Sequence, residues 1–262
     1  MLLPKLRFLH SMRERNFLES ALTEGLMLRD HMVQFAPANT HAHWRSLLGD
    51  AWNLLMGKLN SLGAPWEELS EDQKNLIMGG IGSISGAIPM LCFTEVPEGR
   101  DVAFHLLSFG GYGLVVNRDW LESSGGDRVI YAGNNSPVSR NLFRVVASLQ
   151  ITNLGLDPGG AVVFNITPFR PVLDLLAHVE IRDNLEEYEW RITGQHGFMG
   201  GKRESGKRLP LPIEQVETVL VQNNDDVPLL EELVLSIATI QSASQVPSVI
   251  CQPAVLGVAK LI

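Results

Sequence analysis

Leu91-Cys92-Phe93-Thr94-Glu95-Val96-Pro97, with Tyr112-Gly113-Leu114-Val115-Val116 and Arg128-Val129-Ile130-Tyr131-Ala132 after it, decides the fold class. Apolar residues run from Met90 to Phe93 without a helical period, which predicts a short buried strand there. Residues 112–116 and 128–132 predict two more strands, the first entered through Gly110-Gly111, with Trp120-Leu121 starting a turn between them. The intervening residues 99–109 read as a helix.

Upstream, Leu6-Arg7-Phe8-Leu9-His10 alternates like a strand ending at His10, and Phe17, Leu18, Ala21 and Leu22 recur at helical spacing until Gly25 ends the helix. From Thr40 to Leu62 the apolar positions Trp44, Leu47, Leu48, Ala51, Leu54, Leu55 and Leu59 predict one amphipathic helix. Ser70-Glu71-Asp72-Gln73 is a capping box that opens a helix through Met78, and glycines 79, 80, 82 and 86 are expected to break the chain after it. Downstream the pattern predicts helices at 143–151 and 227–238, the latter introduced by Asp225-Asp226, and an apolar stretch at 172–177. Strands are expected at 161–164, 188–192, 216–221, 246–250 and 254–258. Without an internal repeat or a low-complexity linker, this is one α+β domain over 1–262 with a helical insertion at 36–80.

The composition is that of a globular protein: 262 residues, 45% hydrophobic, mean hydropathy +0.08. Cys92 and Cys251 sit among apolar neighbours without metal-binding spacing, which reads as two buried thiols in a reducing compartment. Pro4 and charges interrupt the N-terminus, and no stretch reaches the roughly 18 apolar residues of a membrane span, so a cytoplasmic, membrane-free protein is expected. A net charge of -8 argues against a broad grip on nucleic acid. Lys202, Arg203, Lys207 and Arg208 form the one basic cluster, a solvated loop that could still supply a local grip.

No P-loop, GxGxxG, HExxH or GxSxG motif occurs, so any chemistry uses scattered residues. The candidates are His10, the pair Thr94-Glu95, and Glu187-Tyr188-Glu189. On a strand, 187 and 189 face one side, so two carboxylates would converge and raise one pKa, unless they form a solvent-facing acidic edge. Arg191 falls on that face too and could hold a carboxylate or a phosphate. His31, His41 and His43 have no spacing that compels a metal. His105 is placed on the helix after Glu95, facing either a cleft or the core.

Phe8-Leu9-His10-Ser11 followed by Asn16 to Leu26 resembles the entry of ADP-ribosyltransferase-like proteins: a His, a short loop, a helix, then glycine-leucine. Residues 92–97, His105, 109–114, 120–121 and 129–131, with Glu189-Trp190-Arg191, resemble the bacterial abortive-infection AbiGi-type family. The resemblance implies a split mixed β-sheet of ADP-ribosyltransferase type holding NAD as substrate, with Glu189 catalytic and Glu187 assisting. His10, Ser11, Thr94, Glu95 and Arg191 would bind NAD, although Thr94 stands where the His-Tyr-Glu pattern has tyrosine. It implies a toxin or effector of phage defence that modifies a nucleic acid or a protein, with a cognate partner protein. The alternative it carries is a non-catalytic, antitoxin-like binding module.

Overall fold

Strand pairing around residues 84–96 organises the molecule. In the computed structural model the described residues are 7–35, 44–82, 84–96, 106, 109–133, 136–158, 162–164, 170–181, 188–195 and 202–251. Their strands are β1 (Arg7–Met12), β2 (Leu26–Met27), β3 (Arg29–Phe35), β4 (Ile84–Val96), β5 (Tyr112–Asn117), β6 (Gly126–Arg128), β7 (Ile130–Ala132), β8 (Leu154–Leu156), β9 (Val162–Phe164), β10 (Val179–Ile181), β11 (Glu189–Thr193), β12 (Arg208–Leu209), β13 (Val216–Val221) and β14 (Ser248–Cys251). Their α-helices are α1 (Arg15–Glu24), α2 (Trp44–Leu48), α3 (Asp50–Ser61), α4 (Glu71–Gly82), α5 (Arg118–Ser123), α6 (Pro137–Thr152), α7 (Arg170–Ala177) and α8 (Asp226–Gln241).

The main sheet runs β14-β13-β5-β1-β4-β11-β6, with β3 also on β4. It is mixed: β13 and β14 are parallel, and its other pairs are antiparallel. The α+β class and mixed sheet therefore match the expectation. β4 is 13 residues long and outruns each neighbour. β1 covers only Thr94–Val96, while β3 covers Ile84–Met90. Leu9 and Glu189 both pair with Thr94, and Arg29 and Thr193 both pair with Met90, so β1 and β3 share one edge of β4 and β11 lies along the other. Residues 91–93 are left uncovered between β1 and β3, and the sheet is split there.

Side-chain alternation along β4 feeds two cores. Leu91 and Phe93 join Phe8, Trp120, Trp190, Leu230 and Val234 under α1 and α8. Ile88 and Met90 join Leu55, Ile77, Phe143 and Val146 among α3, α4 and α6.

Several expectations are met where local chemistry suffices. α1 buries Leu18, Ala21 and Leu22 and ends at Gly25, where φ is 92° and a Cβ would lie 2.3 Å from the Leu209 carbonyl oxygen. The capping box forms in both directions: Gln73 N–H donates to Ser70 Oγ at 3.2 Å, and Ser70 N–H to Gln73 Oε1 at 2.9 Å.

Other expectations are corrected. The single helix over 40–62 is two, α2 and α3, because Gly49 takes a φ of 58° between them. α4 continues through Gly79 and Gly80 to Gly82: Ile77, Met78 and Ile81 are buried against its neighbours and Gln150 Nε2 donates to the Gly80 carbonyl, which outweighs about 1 kcal/mol per glycine. Trp120-Leu121 lies in a helix capped by Asn117, rather than a turn. Arg128 and Ile130 separate into different sheets, β6 on β11 and β7 on β10. Residues 97–105, 107–108 and 254–258 lie outside the described residues, so the helix expected at 99–109 is seen only at Leu106 and Phe109.

Candidate functional site

The split opens onto a cavity of about 680 Å³ whose walls come from β1, β3, β4, α7, β10 and β11. Its floor follows from register. Glu189 pairs with Thr94 and Arg191 with Cys92, and paired residues share a face, so these four side chains meet on one side of the sheet.

Arg191 is buried and fully engaged. Its Nε donates to Glu189 Oε1 at 2.9 Å, Nη2 to Glu189 Oε2 at 2.8 Å and to Glu180, and Nη1 to the Ala177 carbonyl at 2.7 Å. One guanidinium thus ties β11 to the last turn of α7 and to β10. Burial pushes the Glu189 carboxyl up, but the guanidinium outweighs it and holds the group below the usual carboxylate range. Tyr131 Oη adds a third donor at 3.2 Å. The Cys92 thiol, beside the same carboxylate, is pushed up to about 12 by burial, which makes it a poor nucleophile.

His10 closes the split. The N–H of Glu95 and the carbonyl of Pro89 face β11, so alternation turns the Cys92 carbonyl to the opposite edge, where His10 Nδ1 donates to it at 2.8 Å. A carbonyl only accepts, so Nδ1 carries the hydrogen; burial lowers the pKa of His10, and the neutral ring keeps a lone pair on Nε2. His31, also on the wall, is lowered by burial as well.

Of the residues named from sequence, His10, Ser11, Thr94, Glu189 and Arg191 line this one cavity. Glu95 does not. β4 continues to Val96, so Thr94 and Glu95 are consecutive strand residues that point to opposite faces, and Glu95 Oε2 accepts from Trp190 Nε1 at 3.1 Å. Glu187, His41, His43 and His105 lie outside the described residues. Tyr188 has a φ of 44°, so the extended backbone begins at Glu189. The carboxylate that meets Glu189 around a shared cation is Glu180, from β10, and the pKa of Glu189 falls where two converging carboxylates would have raised one. Arg29, His31, Cys92 and Glu180 also line the cavity; the alternation Arg29-x-His31 was the one local signal for any of them. The basic cluster is largely neutralised: Arg203 pairs with Asp30, Lys207 with Glu204 and Arg208 with Glu24.

Residues 68–218 match the family described as "Putative abortive phage resistance protein AbiGi, antitoxin". The chain belongs to the AbiGi family. The AbiGi match covers more than half of the chain and takes in β4, α6 and the Glu189–Arg191 floor, whereas His10 and Arg29 come from the segment before it. No curated protein and no solved structure matches the chain. Membership connects the chain with abortive phage resistance under an antitoxin description. No helix among the described residues is long and apolar enough to cross a membrane.

Proposed function

We propose that this chain is the antitoxin-side component of an abortive phage resistance pair, and that it acts by binding its toxin rather than by turnover. Beside the family description, the observation that carries this reading is the state of Glu189. Both carboxylate oxygens are held by Arg191, so the negative charge that would stabilise a cationic ribose is already compensated. The test is co-expression with the toxic polypeptide of that pair. Wild type and Glu189→Gln should both relieve the growth arrest, and the two proteins should purify together. Growth arrest by this chain itself would overturn the reading.

A second reading is supported by one specific observation, the convergence of His10, Thr94 and Glu189 on one cavity. It is NAD-dependent ADP-ribosyl transfer to a nucleic acid or protein, in which the glycosidic bond breaks, nicotinamide leaves and the acceptor takes ADP-ribose. It requires Arg191 to release Glu189. Nicotinamide release from NAD by purified wild type, abolished in Glu189→Gln, would establish it; no release with RNA, DNA or lysate protein as acceptor removes it.

A further inference from the structure

We infer that two copies of this chain pair in solution through β14, edge to edge, extending the main sheet across a two-fold axis; neither functional reading is needed for it. β14 ends the main sheet, parallel to β13 from Thr218↔Ser248 to Val221↔Cys251, and no described strand pairs with its outer edge. Its position is fixed from within: Val249 and Cys251 pack against the core under α8, and Ser248 Oγ donates to Thr218 Oγ1 at 3.3 Å. A strand held in this way, with one edge open, presents a row of N–H and C=O groups that another strand satisfies.

Charge singles out this edge. The other outer strands of the main sheet are guarded: β6 is Gly126-Asp127-Arg128 with both charged residues exposed, and β3 opens with Arg29 and Asp30, exposed too. β14, Ser248-Val249-Ile250-Cys251, carries no charge, and no Asp, Glu, Lys or Arg occurs from Leu233 to Ala259. Two copies of net charge -8 repel, so a neutral edge is where they meet at least cost. A strand laid antiparallel on its own copy, about a two-fold axis through the sheet, is its own complement, and residues of one face oppose residues of the same face. Ile250, on the face of Leu220 and 42% exposed, is then covered by the copy. Pro247 and Pro253 lack an N–H and bound the ladder at both ends, so the contact is short and the dimer reversible.

The test is sedimentation velocity of the full chain over a concentration series, with hydrogen exchange read at 248–251. The mass should rise from 28.9 kDa towards twice that value, and exchange at 248–251 should slow as it does. Ile250→Lys sets two like charges side by side across the axis and should raise the dimer dissociation constant severalfold, while Leu76→Lys, at a 61% exposed position of α4, leaves it unchanged. Thermal unfolding like wild type shows that both variants fold; should Ile250→Lys not, the concentration dependence of wild-type exchange at 248–251 decides alone. A monomer at every concentration overturns the proposal. So does a dimer whose exchange at 248–251 is independent of concentration, or protection of 248–251 that appears only once a toxin is added.

Discussion

Two carboxylates in this molecule have nearly the same surroundings and different settings. Asp226, at the start of α8, accepts from Arg15 at 3.0 Å, from Tyr112 Oη at 2.8 Å and from Asn223 at 3.2 Å. Glu189 accepts from Arg191 and from Tyr131 Oη. In both, burial pushes the carboxyl up and the donors outweigh it, so both stay ionised below the usual range. The Asp226 network staples α1 to α8 and does not line the cavity that Glu189 faces. Carboxylate, arginine and tyrosine therefore do not mark a site by themselves; the space beside them does. The arginines differ as well: the Arg15 side chain is 42% exposed and that of Arg191 8%.

The largest effect is expected from Arg191→Met. It leaves Glu180 and Glu189 without their cation and the Ala177 carbonyl without its donor, and should cost about 3–5 kcal/mol in urea unfolding. Hydrogen exchange at 176–181 should quicken with it. A loss no larger than that of a surface pair would break the contrast between the two networks.

Asp226→Ala comes next. It strips Tyr112 Oη and Asn223 of their shared acceptor and should cost about 1–3 kcal/mol, with exchange at 176–181 unchanged because no bond of this network reaches α7 or β10. Quickened exchange there would show that the two networks are coupled.

A pH titration separates the cavity further. His10, His31 and His178 all have pKa values lowered by burial from 6.5. A group depressed in this way binds protons more readily in the unfolded chain, so their contribution is complete above 6.5 and lost as the pH falls below it. Glu189 and Asp226, also depressed, lose theirs only in the acid range below 4.5 and 3.8. The melting temperature should fall between about pH 8 and about pH 5, and less steeply in His10→Gln. An unchanged slope in that variant would place the titration at the other two histidines.

Arg15→Met should be the mildest change. Water reaches the half-exposed guanidinium and can serve Asp226 in its place, so the melting temperature should drop less than in Asp226→Ala.

Much of the fold was legible because its signals are local. Alternation identified β1 and β11, local strand patterns identified β5 and β13, and the Ser70/Gln73 box and Gly25 marked helix ends through hydrogen bonds and φ values that a few neighbours decide. Helix continuity was less legible. Gly79 and Gly80 look like breakers, yet packing against α6 carries α4 past them, whereas Gly49, which drew no notice, breaks a helix.

Of the site, the sequence by itself determined which residue types stood at strand positions and that Glu189 and Arg191 share a face, since period two is a property of the extended backbone. Tertiary structure alone decided the rest. The length of β4 turned Glu95 away from Thr94, and the separate pairing of β1 and β3 left residues 91–93 uncovered for His10 to bridge. The approach of β10 brought Glu180 to Arg191, closing the charge network from another sheet. Register and strand-end positions depend on partners tens of residues away, and a local pattern carries no information about them.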